Sequence, residues 1–153
     1  MSVSIPVRGE QGAPMHNFDN MRVAKATVGI ATTNDVVLDG SAAATAIFSV
    51  AAGTLVHEIV ARVVTAFTAS SALSLGDSDD VDGWAHAVLL GCTVVSTNLV
   101  SSKGAMIGST ALPSDPTLYA PGKYYAAAQT VDVTAGATFE AGQVDVYMLY
   151  SRI

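Results

Sequence analysis

The chain has 153 residues, half of them apolar and only 13% charged, which is enough for one domain with a real core and excludes a disordered polymer. Its net charge of −6, with seven Lys and Arg residues spread singly, excludes the basic footprint that nucleic acid or an anionic membrane surface requires. Charged residues usually make up about a quarter of a globular chain. Here Ala, Gly, Ser, Thr and Val replace them, and so neutral a surface implies cover by neighbours, that is, a homo-oligomer.

Residues 1–21 form an extended N-terminal arm punctuated by Pro6, Gly9, Gly12 and Pro14, and the domain proper is expected over 22–153. The first residues contain no apolar core of a signal peptide. From Arg22 the pattern turns to period two, with Val23, Lys25, Thr27 and Gly29 on one face and Ala24, Ala26, Val28 and Ile30 on the other. Thr32 to Asp35 is a turn, Val36 to Leu38 a short strand, and Asp39-Gly40 a turn pair. Thr45 to Val50 is the next strand, joined by Ala51-Ala52-Gly53 to a run of strand formers from Thr54 to Phe67. In that run Leu55, His57, Ile59, Ala61, Val63, Thr65 and Phe67 share one face, and Val56, Glu58, Val60, Arg62, Val64 and Ala66 the other. Val, Ile, Thr and Phe favour a pleated surface over a helix. The run exceeds an ordinary strand in length, so a bend, or passage between two sheets, is expected.

Leu73 to Leu75 is a short strand leading into an acidic turn. Ala87 to Val95 is a continuous apolar run that periodicity alone leaves as strand or helix. Residues 96–114 are rich in small residues and form a long loop of the kind that makes contacts. Gln129 to Thr134 and Gln143 to Tyr150 alternate as strands. Eight or nine strand signals separated by Gly, Asp and Ser turns, with no amphipathic helix, specify an all-β single-domain antiparallel β-sandwich, jelly-roll-like in character.

The chemistry-bearing candidates are few. Asp77, Asp79, Asp80 and Asp82 place four carboxylates within six residues, a set that could hold a hard cation through oxygen. The spacing does not match an EF-hand loop: with Asp80 and Asp82 as its third and fifth positions, Leu89 stands where the bidentate Glu belongs. A solvated turn is the preferred reading, with no metal and no cofactor. His16, His57 and His86 are scattered, and no nucleophile motif accompanies them, so no enzyme is expected. Cys92, the single cysteine, sits in an apolar run as an inert thiol and fits synthesis in a reducing cytoplasm. Glu58 and Arg62 lie about 13 Å apart along a strand and are expected to pair across strands or subunits rather than with each other. Trp84 with Tyr119, Tyr124, Tyr125, Tyr147 and Tyr150 raises a carbohydrate-stacking platform as an alternative.

The segment Gly53-Thr54-Leu55-Val56, Ile59 to Phe67, Leu73-Ser74-Leu75-Gly76-Asp77 and Asp82-Gly83-Trp84, with the closing Gly142 to Tyr150, resembles small all-β structural proteins of tailed bacteriophages. The resemblance implies a virion component. The class it points to is a head decoration, or cement, protein on the outer capsid surface, often a trimer, with the major capsid protein as partner and assembly in the host cytoplasm. On that view contacts come from the arm (Ile5, Pro6, Val7, Arg8) and the loop (Lys103, Met106, Ile107). A tail, fibre or baseplate component, or a receptor- or carbohydrate-binding module, is the alternative.

Overall fold

Period-two alternation of branched and aromatic residues gives strands where the sequence places them. The computed structural model describes residues 21–38, 43–67, 73–88, 122–135 and 141–153. They form nine strands and no helix: β1 (Arg22–Gly29), β2 (Val36–Val37), β3 (Thr45–Val50), β4 (Thr54–Thr65), β5 (Leu73–Gly76), β6 (Ala85–Val88), β7 (Lys123–Tyr125), β8 (Gln129–Ala135) and β9 (Gln143–Arg152). Two sheets result, of order β2-β1-β9-β4-β7 and β3-β8-β5-β6. They share one hydrophobic core. Val28, Ile59, Val63 and Val146 enter it from the five-stranded sheet, and Phe48, Leu73, Leu75 and Val133 from the four-stranded one. This is a β-sandwich.

Three expectations are corrected. First, β4 does not pass between sheets. It stays against β9 from Thr54↔Arg152 to Thr65↔Gln143, and two irregularities absorb its length, one between Val56 and Glu58 and one between Val63 and Thr65. An extra residue in one strand reverses the parity beyond it. Val56 therefore shares the core face with Ile59, Ala61 and Val63, although strict alternation put it opposite them. Second, the long run from Thr54 was expected to be the spine of the sandwich, but among the described residues it is β9 that is paired along its length on both sides. Third, the pairing is not wholly antiparallel: β1 and β2 run parallel through Val28↔Val36 and Gly29↔Val37. The apolar run from Ala87 enters the described residues only as the end of β6, and the arm and the 96–114 loop lie outside them.

The connection from β3 to β4 turns on Gly53. Its φ of 78° is one that side chains resist. Its N–H donates to the carbonyl of Tyr125 at 2.8 Å, and its carbonyl accepts from Ile153 N–H at 3.0 Å. One end of the sandwich thus gathers the β3–β4 turn, β7 and the end of β9. Among the described residues β3 pairs only with β8, so that its other edge has no strand partner among them.

Candidate functional site

The acidic turn is not simply solvated. Asp77 is only 1% exposed, because the chain folds back so tightly that a Cβ on Gly76 would overlap the backbone of Asp80 and Val81. Asp77 Oδ1 accepts the backbone N–H groups of Asp79 (3.0 Å) and Asp80 (3.2 Å). Its Oδ2 accepts Lys123 Nζ and Tyr125 Oη, both at 2.7 Å. Tyr125 Oη in turn accepts the indole N–H of the fully buried Trp84 at 3.1 Å. A continuous chain of polar contacts therefore runs from the core to the surface and ties the β5–β6 turn of one sheet to β7 of the other.

The titrations follow from this geometry. Burial pushes the Asp77 carboxyl up, but the hydrogen bonds from Lys123, Tyr125 and the backbone outweigh it and hold it below the ordinary carboxylate value. Burial, and then the bond to Asp77, raises the Tyr125 phenol. Lys123 also bonds Asp79 Oδ2 at 2.8 Å, and Gln129 Nε2 reaches the same oxygen at 3.3 Å; these two bonds lower the Asp79 carboxyl. A hard cation entering the turn would have to displace the Lys123 ammonium. Among the described residues no group of three or more His, Cys, Asp or Glu side chains is placed to hold a metal ion.

A second buried carboxylate lies on the outer face of the five-stranded sheet. Thr27, Asp145 and Arg62 stand in one row across β1, β9 and β4. Asp145 Oδ2 receives Arg62 Nη2 at 2.8 Å, Lys25 Nζ at 3.0 Å and Tyr147 Oη at 3.3 Å. Burial raises this carboxyl, yet the bonds from Lys25 and Arg62 bring it below the ordinary value. Arg62 thus pairs across strands, as its separation from Glu58 led us to expect. The cluster itself was not visible in the sequence, since 83 residues separate Arg62 from Asp145.

The third feature is a groove of about 200 Å³ between the sheets, beside the edge of β3 that has no strand partner among the described residues. Ala24, Ile47, Phe48, Val50, Met148 and Tyr150 line it together with the polar Ser49, Thr54 and Arg152. Sequence patterning could not find it, because its walls come from β1, β3, β4 and β9.

The remaining candidates are dispersed. His57 Nε2 lies 2.9 Å from Ser151 Oγ in a cross-strand contact. Among the described residues the aromatic candidates do not share one surface: Trp84 and Tyr125 are core residues, whereas Tyr124, 54% exposed, faces solvent. Ile5, Pro6, Val7, Arg8, Lys103, Met106 and Ile107, like His16, Cys92 and Tyr119, lie outside the described residues.

No protein-family model and no curated protein sequence matches this chain. Among solved structures it is similar to a chain of the cyanophage Pam1 capsid asymmetric unit, with a TM-score of 0.60 and 15% identity over 100% of both chains. It is also similar to a chain of the acidic stable capsid structure of Helicobacter pylori bacteriophage KHP30, with a TM-score of 0.44 and 13% identity over 84% of this chain and 86% of that one. At 15% identity the likeness to the Pam1 capsid chain is one of fold.

Proposed function

We propose that this chain is a virion structural protein, and specifically a decoration or cement subunit on the outer capsid surface. The observation that carries the reading is the full-length likeness in fold to a chain of a phage capsid. The strand order supports it: leaving β2 aside, β1-β9-β4-β7 faces β3-β8-β5-β6, an arrangement that suits a jelly roll of the kind used in viral capsids. The chemistry agrees with a structural role, because both buried carboxylates are tied up in fold-holding contacts rather than presented to a substrate.

On this reading the function is mechanical and involves no catalysis. The charge-poor chain binds the major capsid protein and further copies of itself, as a trimer. Many weak contacts add up across a lattice. Residues 1–21 act as an arm and 22–153 as the docking domain, with Ile5, Pro6, Val7 and Arg8 and the loop residues Lys103, Met106 and Ile107 as the contact points. Assembly takes place in the host cytoplasm, and the protein resides on the virion. The buried Trp84 disfavours the carbohydrate-binding alternative.

The test is co-sedimentation of purified protein with capsids of the same phage from which it has been stripped or deleted. Saturable binding and a higher capsid melting temperature are expected. Protein that stays in the supernatant, while particles lacking it keep their full stability, would remove the cement reading.

A further inference from the structure

We infer that the groove beside β3 receives residues 1–20 of a second copy of this chain, added as a strand to the open β3 edge. The groove is smaller than the roughly 300–1,000 Å³ typical of small-molecule sites, and its walls set Ile47, Phe48, Val50, Met148 and Tyr150 beside the polar Ser49, Thr54 and Arg152. It lies along a strand whose outer edge has no strand partner among the described residues. A peptide adding to such an edge gains main-chain hydrogen bonds, while alternate side chains fill the adjoining pockets.

The sequence supplies a segment of this type. Val3, Ile5 and Val7 alternate with Ser2, Ser4 and Pro6, a strand pattern with one apolar face, about as long as the six-residue β3. Pro6 fits if the odd-numbered residues make the ladder, since its missing N–H then faces away from β3. The exit point also fits. β1 begins at Arg22 opposite Tyr150, and both Ala24 and Tyr150 line the groove. Twenty residues precede Met21, and extended they reach about 66–72 Å. A domain of this size has a radius of gyration of roughly 15 Å, so the segment can cross to a neighbour. Entry into its own groove would demand a reversal at Met21, directly before a strand already paired to β9. Exchange between copies avoids that reversal and closes by symmetry. The inference rests on the arm and the self-association named in that reading, but cross-linking reads contact between copies whereas co-sedimentation reads capsid binding, so either can fail without the other.

Mixed cross-linking of the full chain tests it. In a Cys92→Ser background, one population carries Val7→Cys and another Ser49→Cys; Ser49 is exposed and lies on the groove wall. Oxidation of the mixture is expected to give a covalent heterodimer, which disappears when Ile5→Asp is added to the Val7→Cys chain. Ala46→Cys, also exposed, serves as a second edge probe should Ser49→Cys disturb folding. In parallel, light scattering is expected to show an oligomer for the unmodified chain and the mass of a single chain for Ile5→Asp/Val7→Asp, with an unchanged near-ultraviolet circular dichroism spectrum. No heterodimer with either edge probe would overturn the inference. So would an intrachain cross-link in a Val7→Cys/Ser49→Cys double variant at high dilution, which would place the segment in its own groove.

Discussion

Asp77 and Asp145 offer a controlled comparison, since each is a carboxylate withdrawn almost completely from solvent, 1% and 2% exposed, and each is met by cations and hydroxyls. They differ in where those partners stand. The Lys123 side chain is 21% exposed, and the Tyr125 hydroxyl beside it is buried and leads to Trp84. Lys25 and Arg62 are 49% and 42% exposed. The burial of the partners, rather than of the carboxylate, decides what its removal strands. Around Asp77 a deletion leaves a buried phenol O–H and two backbone N–H groups without their acceptor, and a half-sequestered ammonium with Asp79 as its remaining carboxylate partner. Around Asp145 the two cations simply turn to water.

The largest effect therefore belongs to Asp77→Ala. Breaking a buried pair by removing one partner costs about 3–5 kcal/mol, so the melting temperature is expected to fall by roughly 10 °C or more. Asp145→Ala should cost only about 1–2 kcal/mol, the range for a hydrogen bond to a charged group whose partners can rehydrate. Salt sharpens the contrast. At 1 M NaCl screening acts over about 3 Å, so the penalty of Asp145→Ala should shrink while that of Asp77→Ala persists. Thermal melts of both variants at low and high salt make the measurement, and equal penalties would break the comparison.

Acid is the next lever. The Asp77 and Asp145 carboxyls are held below their ordinary value in the folded state. Each therefore contributes stability that is complete above about pH 4 and is lost as pH falls through the lowered folded value. Lys123 is raised: burial pulls it down, but its bonds to Asp77 and Asp79 prevail. Its contribution is complete below the ordinary lysine value and fades as pH rises through the raised one. A melting temperature flat from about pH 5 to 9 and falling below about pH 4 is expected. Asp77→Ala and Asp145→Ala should each flatten the acid limb.

The sequence disclosed some of this and hid the rest for physical reasons. Strand positions were legible because alternation is local: Thr45 to Val50 and the core of β9 stand where the pattern puts them. The parity of β4 was not, because nothing in the run from Val56 to Glu58 marks an extra residue; the irregularity becomes evident only against Tyr150 and Leu149 of β9. The acidic turn was legible as a turn. That Asp77 points inward depends on Lys123 and Tyr125, more than 40 residues away, and on the close approach at Gly76. The Asp145 row and the β3 groove are products of strand order, which no local pattern encodes.

The smallest expected effect returns to the acidic turn. The Asp80 carboxyl is raised, chiefly by its side-chain hydrogen bond with the Asp82 carboxyl and then by burial. Asp80 Oδ1 also accepts Asp82 N–H at 3.4 Å. A carboxyl raised on folding costs stability once it ionises, the reverse of Asp77. Asp80→Asn keeps an acceptor for the Asp82 N–H, offers a donor to the Asp82 carboxylate and leaves untouched the Asp80 carbonyl that accepts Asp77 N–H at 2.9 Å. A gain of about 0.5 kcal/mol at pH 7 is expected, the scale of a partly exposed substitution, and it should shrink in acid, as the raised Asp80 carboxyl takes up its proton. Paired melts of this variant and the unmodified chain at pH 7 and in acid decide it. A loss at pH 7 would show that the Asp80 charge itself holds the turn, so that the dependence on a buried anion extends beyond Asp77 to its neighbour.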